Sequence, residues 1–151
     1  MTRQNDLGSL LHHLVSLMSR ESDQMLQEQL GIGLSQYKIM ATLHEHPHIQ
    51  QRIIASTLGQ TEASISRQIK LLTEKGMLVA LKNPNNQREH LTDLTLRGIR
   101  MIEAAERVLA GYHATFFAGL NEKQQDRLLE ELSSLHRSVC FMQHPGVEHQ
   151  E

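Results

Sequence analysis

Residues 58–98 read LGQTEASISRQIKLLTEKGMLVALKNPNNQREHLTDLTLRG, and the division of this run decides the fold. Ile65, Ile69 and Leu72 recur at spacings of four and three, the period of one helix face. Thr61 stands where a hydroxyl caps such a helix. Glu62 puts negative charge in its first turn, where the helix dipole favours it. Gly76 is the expected stop. After it the period changes: 77–82 (MLVALK) is short and extended, 83–88 (NPNNQR) is dense in turn residues, and 89–95 (EHLTDLT) returns with Leu91 and Leu94. Two short extended runs around a polar tip predict a β-hairpin.

Working outward, 50–58 predicts a short helix carrying Ile53, Ile54 and Leu58, stopped by Gly59. Residues 50–76 then form a helix-turn-helix and 77–95 a wing. Upstream, Leu7, Leu10, Leu11, Leu14, Leu17, Met18, Met25 and Leu26 predict a long helix over 6–30, ended by Gly31 and Gly33. A second helix is expected from a Ser35 cap to Pro47, with Ile39, Met40 and Leu43 inward. Downstream, 98–117 predicts a fifth helix, and Asn121 caps a sixth that runs through Val139. The expected fold is mainly α with a small β-hairpin wing: a winged helix-turn-helix with long helical dimerisation arms. Its divisions are 6–30 and 99–141 for the arms, 35–95 for the winged helix-turn-helix, and 142–151 for a flexible tail. The arms are too long and amphipathic for so small a lobe to cover, and a second copy of the chain is the simplest partner.

Composition narrows the function. Net charge over the 151 residues is −2, yet residues 61–100 carry 7 Lys+Arg against 4 Asp+Glu, while 101–151 carry 4 against 8. A local basic patch can bind phosphate on a mildly acidic chain. The single cysteine, Cys140, excludes a disulfide framework. No run is apolar for long enough to cross a bilayer, so no membrane partner is expected, and a cytoplasmic location is.

In a helix-turn-helix the second helix enters the major groove with its N-terminal half against base edges. Here that half offers Ala63, Ser64, Ser66, Arg67 and Gln68. Small residues permit close approach, and Arg67 can give two donors to guanine. Lys70 is placed for phosphate, as is Thr61 at the N-cap. On the wing, the tip lies between Lys82 and Arg88 and carries no acid, with Asn83 and Asn85 available as polar contacts. An arginine there can enter a narrow minor groove.

These residues resemble the MarR family of bacterial regulators. The wing tip 83–88, followed by Leu94, Thr95 and Gly98, is similar to that family's wing signature, and the helical arms extend the likeness over 6–141. The resemblance implies a homodimer that represses transcription from a palindromic operator and is released by a small, often aromatic or phenolic, effector. It places Ser64, Ser66, Arg67 and Lys70 on the recognition helix and Arg88 on the wing arginine. One departure stands out. Asn86 occupies a position where the family usually has Asp, so the tip is either looser or held by Asn-mediated turns. His13, Ser16 and Tyr37 are candidate effector-pocket residues between arms and reading lobe.

His44, His46 and His48 cluster near a helix end, but Pro47 interrupts them and no Cys is near, so no metal site is assigned. Cys140 lies beside Val139 and Phe141 and reads as structural. No Gly-rich phosphate loop, nucleophile elbow or His-Glu-x-x-His is present, so no enzyme and no cofactor are expected. A metal- or redox-sensing regulator, or a protein-interaction module without DNA binding, remain the alternatives.

Overall fold

The computed structural model describes residues 2–143, and of residues 87–90 and 140–143 the backbone alone. The elements run α1 (Arg3–Leu30), α2 (Leu34–Glu45), α3 (Gln51–Leu58), α4 (Glu62–Glu74), β1 (Leu78–Asn83), β2 (Asn86–Leu94), α5 (Leu96–Phe116) and α6 (Glu122–Gln143). The expected class is present: six helices and one two-stranded antiparallel hairpin. The chain divides into two compact units, residues 1–111 and 112–151, with α5 continuing from one into the other.

The first unit holds the core. Leu26 comes from the end of α1, Ile32 from the turn after it, and Ile39, Met40 and Leu43 from α2. Ile54, Ile65, Ile69 and Leu72 come from α3 and α4, and Ile102, Ala105 and Leu109 from α5. All are aliphatic or small, as a chain with so few aromatics requires. Each such side chain contributes roughly 1.5–3 kcal/mol when removed from water.

Three helix starts differ from expectation, the first being α1, which begins at Arg3 instead of Asp6. α2 begins at Leu34, not after Ser35. Its cap residue, Gly33, has no side-chain oxygen to offer. Asp23 of α1 supplies one instead: its Oδ1 accepts from the Leu34 amide at 2.8 Å, and Gln36 Oε1 accepts from the Gly33 amide at 3.3 Å. A carboxylate at a helix N-terminus is also favoured by the dipole. α5 begins at Leu96, two residues before Gly98. Thr95 is the reason. Its Oγ1 accepts from the Gly98 amide at 3.1 Å and donates to the Gly76 carbonyl at 2.6 Å, and its amide donates to the Met77 carbonyl at 3.1 Å. One residue thus caps α5 and ties it to the α4–β1 turn. Gly98 lies inside the helix because only a residue without Cβ fits against Met77.

The hairpin spans 78–94, close to the expected wing of 77–95, but its turn is tighter than 83–88. β1 and β2 pair from Leu78↔Leu94 to Lys82↔His90, then the register shifts so that Asn83 opposes Asn86. Only Pro84 and Asn85 lie in the turn. Asn83 Oδ1 accepts from the Asn85 amide at 2.9 Å, the side-chain closure that favours Asn in turns. Of the two states expected at the tip, the Asn-held turn is observed.

In the second unit, Asn121 caps α6 as expected, accepting from the Gln124 amide while its own amide donates to Gln124 Oε1. Gln125 Nε2 closes the preceding corner on the carbonyls of Phe117 and Leu120. α6 continues to Gln143, into the expected tail, whose remaining residues lie outside those described. The side chain of Cys140 also lies outside them. Among the described residues no helix is long and apolar enough to cross a membrane.

Candidate nucleic-acid interface

α3 ends at Gly59, whose φ of 64° is a left-handed turn that a Cβ would strain. The chain reverses through Gln60 into α4, and Thr61 Oγ1 caps it by accepting from the Ser64 amide at 3.1 Å. Ile65, Ile69 and Leu72 are buried, as expected, and fix the inner face of α4 on the core. Thr61, Glu62, Ala63, Ser66, Arg67 and Lys70 are exposed. α4 therefore presents a small-residue face bearing one guanidinium and one ammonium, with amides of its first turn close by.

Ser64 and Gln68 are half-buried instead of facing out. Ser64 Oγ donates to Gln60 Oε1 at 3.3 Å, and Gln68 Oε1 accepts from Gln36 Nε2 at 3.0 Å. Both side chains are already engaged with the scaffold. Gln36 was not singled out from the sequence, although it occupies the inward stripe of α2 one turn before Ile39 and Met40. Its polarity hid it.

On the wing, Lys82 and Asn85 are exposed and Asn83 is half-buried. Arg88 lies on β2, and its side chain is outside the described residues. The base of the wing meets the α2–α3 loop, where His48 Nε2 lies 3.5 Å from Asp93 Oδ2. His48 holds a left-handed φ of 64°, the only non-glycine among the described residues to do so.

The three candidate effector residues come from α1 and α2. His13 and Ser16 are exposed one turn apart on α1. Tyr37 on α2 is half-buried against the core. Burial holds its phenol above the ordinary pKa, and the negative charges of Glu106 and Glu45 push in the same direction. Among the described residues none of the three is hydrogen-bonded to another. His44, His46 and His48 are all exposed, and no described group of three His, Cys, Asp or Glu side chains is arranged to hold a metal ion.

Residues 32–90 match the MarR family. An uncharacterized HTH-type transcriptional regulator of Bacillus cereus is 24% identical over 139 residues, covering 89% of this chain and 92% of that one. Over that segment, and more loosely along most of its length, the chain is similar to MarR-family transcriptional regulators. The matched segment takes in α2, α3, α4, β1 and the first half of β2, the whole helix-turn-helix and the wing tip. The MarR fold extends beyond it. CouR of Rhodococcus jostii RHA1, solved bound to p-coumaroyl-CoA, superposes with a TM-score of 0.76 at 20% identity, covering 99% of each chain. MepR of S. aureus, solved as a DNA complex, gives 0.69 at 21% identity over 91% of this chain and 99% of its own. These likenesses show a winged helix-turn-helix fold of the kind found in MarR-family transcriptional regulators.

Proposed function

We propose that this protein is a cytoplasmic homodimeric repressor of the MarR family that binds a palindromic duplex and leaves it when a small effector binds. The observation that carries the reading is the division of α4. Ile65, Ile69 and Leu72 hold it to the core, while Ala63, Ser66, Arg67 and Lys70 face outward directly ahead of a wing. On this reading α4 lies in the major groove with Arg67 on base edges, and Thr61 and Lys70 bind phosphate. Ser64 lines the groove side while its hydroxyl stays with Gln60. Lys82, Asn83, Asn85 and Arg88 carry the wing along the backbone and into the minor groove.

The dimer is supported by the arms. Leu7, Leu10 and Val15 of α1 and Leu129 and Leu135 of α6 are each more than half exposed, a large apolar surface for a chain alone in water. The arms at 6–30 and 99–141 are assigned to dimerisation and 35–95 to reading DNA. Two-fold symmetry of the protein then demands a two-fold site. Effector release is suggested by the ligand-bound structure of the similar CouR, with His13, Ser16 and Tyr37 as the residues first to be tested.

The test is a duplex titration. A duplex selected by the wild-type protein from a randomised pool is bound by Arg67→Ala with roughly 1–3 kcal/mol less discrimination against other sequences. Arg88→Ala lowers the salt slope by about one unit. Binding unchanged by both substitutions overturns the assignment.

A further inference from the structure

The apolar face of α4 fixes its distance from the core, but Ile65, Ile69 and Leu72 form one stripe, and a stripe alone lets a helix roll about its own axis. Two polar bridges stop that roll. Gln36 is 9% exposed, and its amide is spoken for at both ends: Oε1 accepts from the Gly33 amide and Nε2 donates to Gln68 Oε1 at 3.0 Å. One turn earlier along α4, Gln60 Oε1 accepts from Ser64 Oγ at 3.3 Å, and Gln60 Nε2 donates to Ser35 Oγ at 2.8 Å. Ser64 and Gln68 are four residues apart, so both bridges seize the same edge of the helix. Both lead to its first turn of α2, which Asp23 of α1 caps.

We infer that Gln36 and Gln60 are positioning residues that set the rotation of the recognition helix about its axis, and so determine which base edges Ser66 and Arg67 reach. This rests on the reading of α4 as the major-groove helix. A buried amide paired with a half-exposed one adds little to stability, because Gln68 can return to water when released. What the pairing adds is direction. A hydrogen bond holds its geometry within narrow angles, whereas aliphatic contacts slide. A helix rotated by a fraction of a turn keeps its phosphate contacts and misplaces its base contacts, so discrimination falls while non-specific binding stays.

The experiment compares wild type with Gln36→Met, Gln36→Met/Gln68→Met and Gln60→Ala, on the duplex that wild type selects from a randomised pool and on an unrelated duplex of equal length. Thermal unfolding is followed in parallel. The expected result is that each variant folds and keeps the wild-type salt slope, and that the preference for the selected duplex drops by roughly tenfold. The double variant, with an apolar pair in place of the bridged amides, loses at most the Gly33 cap, stays folded and still lacks the preference. Wild-type preference in the folded double variant and in Gln60→Ala overturns the inference. A loss of stability in step with a loss of binding to both duplexes also overturns it, because the role would then be structural. Failure of wild type to select any duplex is a separate result and removes the reading of α4 itself.

Discussion

The backbone of Gly98 passes so close to Met77 that a Cβ on Gly98 would sit 2.3 Å from the Met77 carbonyl oxygen and 2.9 Å from Leu94 Cδ2. That carbonyl is also the acceptor for the Thr95 amide. The first turn of α5 is therefore seated on the α4–β1 turn with no room for a methyl group. Gly98→Ala is expected to destabilise the chain by about 1–3 kcal/mol, since a carbonyl cannot rotate away as a side chain can. Urea unfolding checks this: the midpoint falls with the slope unchanged. A midpoint equal to wild type would show that the contact is not kept in solution.

Tyr37 gives a pH prediction. Burial, then Glu106 and Glu45, raise its folded pKa above the model-compound value of 10.0. The unfolded chain releases this proton near pH 10 while the folded chain still holds it. Between the two values folding binds a proton, so stability present below pH 10 is lost as pH rises through the folded value. Phenolate absorbance should show a late-titrating component, and Tyr37→Phe should diminish it by one tyrosine and flatten the alkaline fall in the urea midpoint. A late component that persists undiminished in Tyr37→Phe belongs to another residue.

α4 was legible because three inward isoleucine and leucine positions, a hydroxyl cap and a glycine stop agree on one helix. The wing was legible in kind and extent, but the length of its turn was not. Asn and Pro announce a turn, yet its length is set by the bond from Asn85 to the Asn83 side chain, and composition does not report such bonds. The start of α5 was misplaced for a related reason: Gly98 reads as a helix boundary, whereas here it is a packing requirement inside the helix. Ser35 looked like a cap, but the capping oxygen comes from Asp23, eleven residues before Leu34. Among the reading residues, Arg67 and Lys70 were visible as exposed cations. Gln36 and Gln60 were not, because their value lies in partners distant in sequence. The effector residues are the least legible part, since a pocket depends on how separate elements face one another.

His48 carries a prediction about strain. At φ 64° an L side chain costs about 1 kcal/mol relative to glycine. Its contact with Asp93 joins two side chains that are 46% and 38% exposed, and such contacts contribute about 0–1 kcal/mol. The two nearly cancel. His48→Gly should therefore leave the urea midpoint close to wild type, while His48→Val, which is β-branched and has no contact to offer, should lower stability by about 1–2 kcal/mol. Equal losses in both variants would mean that the imidazole contact, not the backbone, governs this loop.

The exposed leucines of the arms make the last prediction. Leu129 is 67% exposed and Leu10 55% exposed, so a charge at either position disturbs no buried packing within the protomer. If a second copy covers them, Leu10→Glu or Leu129→Glu places an unpaired charge in an apolar interface, at a cost of several kcal/mol per site. Because a two-fold interface uses each patch twice, the cost is doubled in the dimer. Sedimentation should show wild type as a dimer and each variant as a monomer of unchanged helix content. Each monomer should bind the selected duplex far more weakly, because one reading lobe engages only one half-site. A wild-type protein that sediments as a monomer, or variants that remain dimeric with full affinity, would place the interface elsewhere or remove it.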